Sequence, residues 1–223
     1  MYQQEGGNRG DSPGISQGGC LGLARRLIYV PIVHSQADLG SMAERLGEIG
    51  QARLSAERWK RHQQEVAAFW ERLRAGLFER VEKELAGASW EKLRIYQDGL
   101  PAGGDTGRRI VEEVAEKGSP NYQIIAELLK RGAQLEKTEH AGLLQEEYRL
   151  IRQILTAPAT AERAGAEQVY RLRSEALLVQ RDRFIAKRIY ESLQEGEVGL
   201  LFIGASHQVR SYLPEDIEVI SMH

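Results

Sequence analysis

Of the five histidines in this chain, three (His34, His140 and His207) fall at or just after the end of an extended, apolar segment. His62 lies in a charged helical stretch and His223 is the last residue of the sequence. His34 and His207 stand out because they follow the two most apolar segments, Leu27-Ile28-Tyr29-Val30-Pro31-Ile32-Val33 and Val198-Gly199-Leu200-Leu201-Phe202-Ile203. If those segments are adjacent parallel strands, two imidazoles converge on one pocket. Neutral imidazole is both a metal ligand and a general base near neutral pH, so the pair suits a metal site or proton transfer. A histidine in such a place can also do no more than hydrogen-bond the backbone.

Small residues surround the second histidine. In Gly204-Ala205-Ser206-His207 the chain can turn sharply and leave room for a ligand. The acidic candidates are Asp98, after a strand-like Lys92–Gln97, and Glu136 and Glu139, in or after a weaker extended stretch, Ala133–Thr138. Carboxylates complete the shell of a hard metal or act as general bases. In a chain that is 28% charged, most glutamates are simply solvated. Arg181, in Arg181-Asp182-Arg183, would face the strand ends and bind a carboxylate or phosphate through its two-pronged guanidinium if its helix packs beside them. The candidate catalytic residues are therefore His34, His207, Glu136, Glu139 and Arg181, with Ser35, Asp98, Gly204 and Ser206 as candidate substrate contacts. His34 and His207 are the candidate ligands of a divalent metal ion. The glycine-rich stretch Gly103–Gly107 matches neither a P-loop nor a dinucleotide fingerprint and reads as a flexible loop. A nucleophile elbow, a His-Glu-x-x-His motif and paired cysteines are all absent from the sequence.

The elements that must position these residues follow from periodicity. Val66, Trp70, Leu73, Leu77 and Val81 recur at helical spacing, so one long helix, or two broken near Gly47–Gly50, is expected between about Leu39 and Leu85. Ser119-Pro120 has the form of an N-cap followed by proline, with a helix running on to Arg131 and ending at Gly132. Helices are expected over about Ala141–Leu155 and Ala161–Leu193, with a final strand at Ile217–Ile220. Strands separated by helices predict an α/β fold: a small, mostly parallel sheet of about four to five strands with several long helices packed on it. In such sheets ligands gather beyond the carboxyl ends of the strands.

Composition narrows the classes. The 223 residues are 42% hydrophobic, enough for a core without disulfides or metal staples. Residues 1–24, rich in Gly, Gln and Ser, read as a disordered arm, and residues 25–223 as one α/β domain. Thirty basic against 32 acidic residues give a net charge of −2, which offers no field for gathering polyanions and argues against nucleic acid as a partner. Cys20 is the single cysteine, which excludes an intramolecular disulfide and a thiolate metal cluster. No stretch approaches the roughly 18 apolar residues of a membrane span, and the N-terminus lacks a signal-peptide pattern, so no membrane and a cytoplasmic location are expected.

The order of these pieces resembles the superfamily of TraB-type proteins, Tiki proteases and erythromycin-esterase-like enzymes. The stretch that carries it is Arg181-Asp182-Arg183-Phe184-Ile185-Ala186-Lys187-Arg188-Ile189 followed by Gly204-Ala205-Ser206-His207, which looks like that family's Arg-Asn/Asp helix and second Gly-x-x-His. Pro31-Ile32-Val33-His34 stands where the family has its first Gly-x-x-His, so the chain reads as a divergent member. The resemblance implies His34 and His207 in the site, Arg181 positioning substrate or an acidic partner, and Glu136 or Glu139 as acid. It implies a hydrolase, metal-assisted, acting on a small molecule or peptide. The alternative is a non-catalytic regulatory or interaction protein that keeps the fold and uses its long charged helices to bind a partner or a second copy of itself. Members of one fold differ in activity, so the fold does not choose between them.

Overall fold

The computed structural model describes residues 24–32 and 56–222. The β-branched and aliphatic run at the start of this part forms strand β1 (Arg25–Ile32), and the apolar run late in the chain forms β4 (Val198–Gly204), buried at every position. The two lie side by side and parallel, with Ile28 opposite Leu200 and Ile32 opposite Gly204. β2 (Leu93–Gln97) pairs with the other edge of β4, β3 (Gln134–Leu135) with β2, and β5 (Ile217–Ser221) with β1. The order is β3-β2-β4-β1-β5 and every pairing is parallel. β4 is apolar throughout because it has a strand on each side and helices on both faces. Gly199 has no side chain where one is excluded: a Cβ there would lie 2.6 Å from a methyl of Leu27.

Alternation along the strands sorts the core into two layers. On one face Ile28, Val30, Ile95, Leu200 and Phe202 meet α1 (Ala56–Leu85), α2 (Gly104–Glu116) and α3 (Pro120–Lys130). Trp70, Leu77, Val81 and Leu85 form the buried stripe of α1, at the helical spacing read from the sequence. On the opposite face Leu27, Tyr96, Leu201 and Ile203 meet Ile185, Ala186 and Ile189 near the end of α5 (Thr160–Ser192). α4 (Ala141–Thr156) packs antiparallel to α5, tied to it by Glu146–Arg173 and Glu147–Arg181 ion pairs. From Thr160 to Glu175 α5 has no buried residue.

Two expectations need correction. The extended stretch Ala133–Thr138 shrinks to a two-residue strand. Beyond Leu135 the amides of Thr138 and Glu139 turn to the carbonyl of Leu100 (3.1 and 3.0 Å) instead of continuing the ladder. The stretch Gly103–Gly107 is not a loop but the start of α2, because Gly107 donates to the Gly103 carbonyl at 3.1 Å and packs against Leu135. The buried stripe of α1 packs on the sheet and on α3, with Val66, Phe69, Leu73 and Phe78 partly buried beside it. The proposed arm, and the start of the first long helix, lie outside the described residues. Among the described residues no helix is long and apolar enough to cross a membrane.

Candidate functional site

β2 and β4 end together, and the turn after each carries a charged side chain to the same point. Gly99, at φ 77°, makes the turn that follows β2, in a backbone region open to glycine. Asp98 is held there by its own amide, which donates to the Phe202 carbonyl at 2.9 Å, and by the Gly204 amide, which donates to its Oδ2 at 3.0 Å. Glu139 reaches the same place from β3 because its amide, like that of Thr138, is tied to the Leu100 carbonyl, while Thr138 Oγ1 accepts from the Gln97 amide at 2.9 Å. His207 is set by a turn in which its amide donates to the Gly204 carbonyl at 3.0 Å.

The other side of the cluster comes from α5. Arg181 and Asp182 lie on its buried stripe with Leu177, Ile185 and Ile189. The Arg181 guanidinium donates from Nε to Glu139 Oε1 at 3.1 Å, from Nη2 to Asp98 Oδ1 at 2.7 Å and to Glu139, and from Nη1 to Glu147 Oε2 at 2.5 Å. Asp182 takes the next position on the helix and turns to His207. Its Oδ1 lies 2.5 Å from Nδ1 of the imidazole, and its Oδ2 accepts from the Gln208 amide at 2.8 Å. Nε2 of His207 then faces Asp98 Oδ2, 3.4 Å away.

The electrostatics follow from burial and crowding. Burial alone would pull the His207 pKa down, but hydrogen bonding and attraction from Asp98, then from Asp182, outweigh it and hold the imidazole above its ordinary value. For Glu139, burial pushes the carboxyl up and the neighbouring Asp98 adds to it, while Arg181 and His207 oppose the rise without cancelling it. Glu139 is fully buried, and its Oε2 has no hydrogen-bond partner. One ligand atom from each of Asp98, Glu139 and His207 lies within 4.8 Å of the others. Above the cluster opens a cleft of about 830 Å³ between the strand ends and the α4–α5 pair.

No family model, curated protein or solved structure matches the chain.

Of the residues singled out in the sequence, Asp98, Glu139, Arg181 and His207 come together, and Gly204 and Ser206 line the same cleft. Gly204 contributes its backbone amide to Asp98, whereas Ser206 is exposed. Asp98 serves as the hub of the cluster, facing Arg181 and His207 at once. Glu136 does not join it. Pleating turns Glu136 toward Arg94 of β2, 2.8 Å away, and that arginine also binds Glu197 in a separate ionic group. His34 and Ser35 lie outside the described residues. β1, the strand that leads to them, does run beside β4 and ends opposite Gly204.

Two residues were not picked out. Asp182 carried a signal, since it is an acidic residue spaced with Ile185 and Ile189 on an apolar helical stripe, where a charge needs a partner. Glu147 carried none: in the charged sequence of α4 only its tertiary neighbour Arg181 distinguishes it from Glu146.

Proposed function

We propose that the cluster is the centre of a metal-assisted hydrolase, with Asp98, Glu139 and His207 holding a divalent cation. The observation that carries this reading is the fully buried Glu139, whose Oε2 has no hydrogen-bond partner, in a cluster where one ligand atom from each of Asp98, Glu139 and His207 lies within 4.8 Å of the others. An orphaned acceptor in a fully buried carboxylate is costly unless a proton or a cation satisfies it. The donor set of two carboxylates and one imidazole, with no thiolate, suits zinc or manganese. Asp182 supports it in the manner of metal-site outer shells, because accepting from Nδ1 fixes the tautomer that leaves Nε2 free to ligate. When bound, such an ion supplies polarisation of a scissile carbonyl and acidification of a nearby water.

The rest is done by the chain. Arg181 keeps Asp98 and Glu139 ionisable side by side by placing one positive charge between them. Asp182 orients His207 by holding its Nδ1, so that Nε2 would face the ion. The cleft gives a small molecule or peptide access to that edge. A second reading, a non-catalytic partner-binding protein, is favoured by the exposed Val169 and Leu172 on α5, the latter 73% accessible.

Elemental analysis of the full chain, dialysed against zinc or manganese, separates the two. One bound ion per chain is expected, lost in Asp98→Asn, Glu139→Gln and His207→Ala, together with hydrolysis of a panel of aryl esters. His34→Ala reads whether the chain just beyond β1 contributes. A protein that takes up no ion and hydrolyses nothing would overturn the proposal in favour of the partner-binding reading.

A further inference from the structure

α5 carries a second apolar stripe, separate from the one that holds Arg181. Gly165, Val169, Leu172, Ala176 and Val179 recur at alternating intervals of four and three residues, so they share one side of the helix. That side is opposite Leu177, Arg181 and Ile185, which are buried toward the cleft and the sheet. Val169 is 47% and Leu172 73% accessible, Ala176 is exposed and Val179 half-buried. A Cβ at Gly165 would meet nothing within 4 Å, so the space in front of the stripe is open.

Size and charge along this side point to the same occupant. Turned end over end about a two-fold axis beside Leu172, a second copy of the stripe sets Gly165 against Val179, Val169 against Ala176 and Leu172 against Leu172. Small residues then meet larger ones on either side of the centre. A parallel copy would instead put Gly165 against Gly165 and Ala176 against Ala176, leaving gaps that forfeit contact. Other charges of α5 are paired within the chain: Arg163 with Glu167, Arg173 with Glu146 and Arg181 with Glu147. Arg171 and Glu175 flank the stripe on one edge, both exposed and one turn apart, yet neither side chain makes an ion pair among the described residues. The same two-fold axis brings Arg171 of each copy opposite Glu175 of the other, so one contact makes two ion pairs. We infer that two copies of the chain associate through this stripe, α5 against α5 in antiparallel pairing about Leu172. The inference starts from the exposed Val169 and Leu172 behind the partner-binding reading and names the partner as this same chain. It requires neither a metal nor hydrolysis.

With one helix from each copy, the contact lies at the small end for a specific interface, so the dimer should exchange with monomer as concentration changes. Sedimentation of the full chain, from low to high micromolar concentration in the presence of a chelator, should show the mass rising from 25.1 kDa toward twice that value. Leu172→Glu sets two like charges against each other at the axis and should leave the chain monomeric throughout, with its circular-dichroism spectrum unchanged. Arg171→Glu and Glu175→Arg should each weaken the dimer by about threefold or more, since two exposed ion pairs turn repulsive, and the double variant should restore it. Orientation is read by oxidation in a Cys20→Ser background. Leu172→Cys should link the two copies, whereas Val169→Cys should not, because its two copies lie about 10 Å apart along an antiparallel pair at 1.5 Å per residue. None of these readouts depends on a metal, so the fate of the hydrolase reading leaves them unchanged. A chain that stays monomeric at every concentration, a dimer that Leu172→Glu leaves intact, or efficient linking through Val169→Cys would overturn the inference.

Discussion

Arg181 carries more of this protein than its one charge suggests. It is buried with an 8% exposed side chain and faces Asp98, Glu139 and Glu147. Replacing it by Met would leave these carboxylates crowded together with no cation between them. Breaking a buried ionic group from one side costs about 3–5 kcal/mol, so Arg181→Met should lower the stability measured by urea unfolding by that order; a loss below about 0.5 kcal/mol, as for a surface arginine, would contradict the geometry. His207 adds a pH dependence with a definite sign. Its folded pKa is raised, so the native state holds its proton more tightly than the unfolded chain does. The stabilisation is complete below the ordinary histidine value of about 6.5 and is lost as pH rises through the folded value. The melting temperature of the metal-free protein should fall across that window, and His207→Gln should remove this part of the slope. Because a metal ion competes with the same proton, its affinity should rise over the same range.

At the scale of elements, the site depends on how tightly α2 sits against the end of β3. Gly107 lies in the first turns of α2, where a Cβ would come within 2.5 Å of the Ala102 carbonyl oxygen and 3.1 Å of a Leu135 methyl. The first of these is backbone and cannot swing aside. In an exposed, flexible loop Gly→Ala would be neutral or slightly stabilising. Here Gly107→Ala should destabilise by about 1–3 kcal/mol, the usual cost of overpacking, as read from the urea midpoint. The strain would fall on the segment that holds Glu139, since Leu135 and Glu139 belong to one short stretch tied to β2 and to Leu100.

At the scale of the whole molecule, the cluster joins parts far apart in sequence. Asp98, Glu139, Arg181 and His207 come from the ends of β2, β3 and β4 and from the middle of α5, so a ligand that binds all of them stabilises the fold as a unit. A cation bound only by the native state adds RT ln(1 + [L]/Kd), about 2.7 kcal/mol at a hundredfold excess over Kd. Titrating zinc or manganese at neutral pH should therefore raise the melting temperature progressively in the wild type and leave Glu139→Gln unmoved. An equal shift in both would mean that the ion binds elsewhere.

The amino-acid sequence by itself determined the elements and their order. Helical spacing in Val66–Val81, the Ser119-Pro120 start of α3 and the unbroken apolar run of β4 are local signals, fixed by side-chain size and backbone freedom. They also made legible the parallel sheet and the end of it at which charged residues should meet. Partnership was decided only by tertiary structure. Glu136 and Glu139 look alike in the sequence, but one faces Arg94 and the other Arg181. Asp182 and Glu147 gain their roles from His207 and Arg181, 25 and 34 residues away. An ionic contact depends on the direction in which a side chain leaves a strand or helix. For Glu139 that direction was set by the Leu100 carbonyl, a neighbour brought near by the sheet and not by the sequence around it.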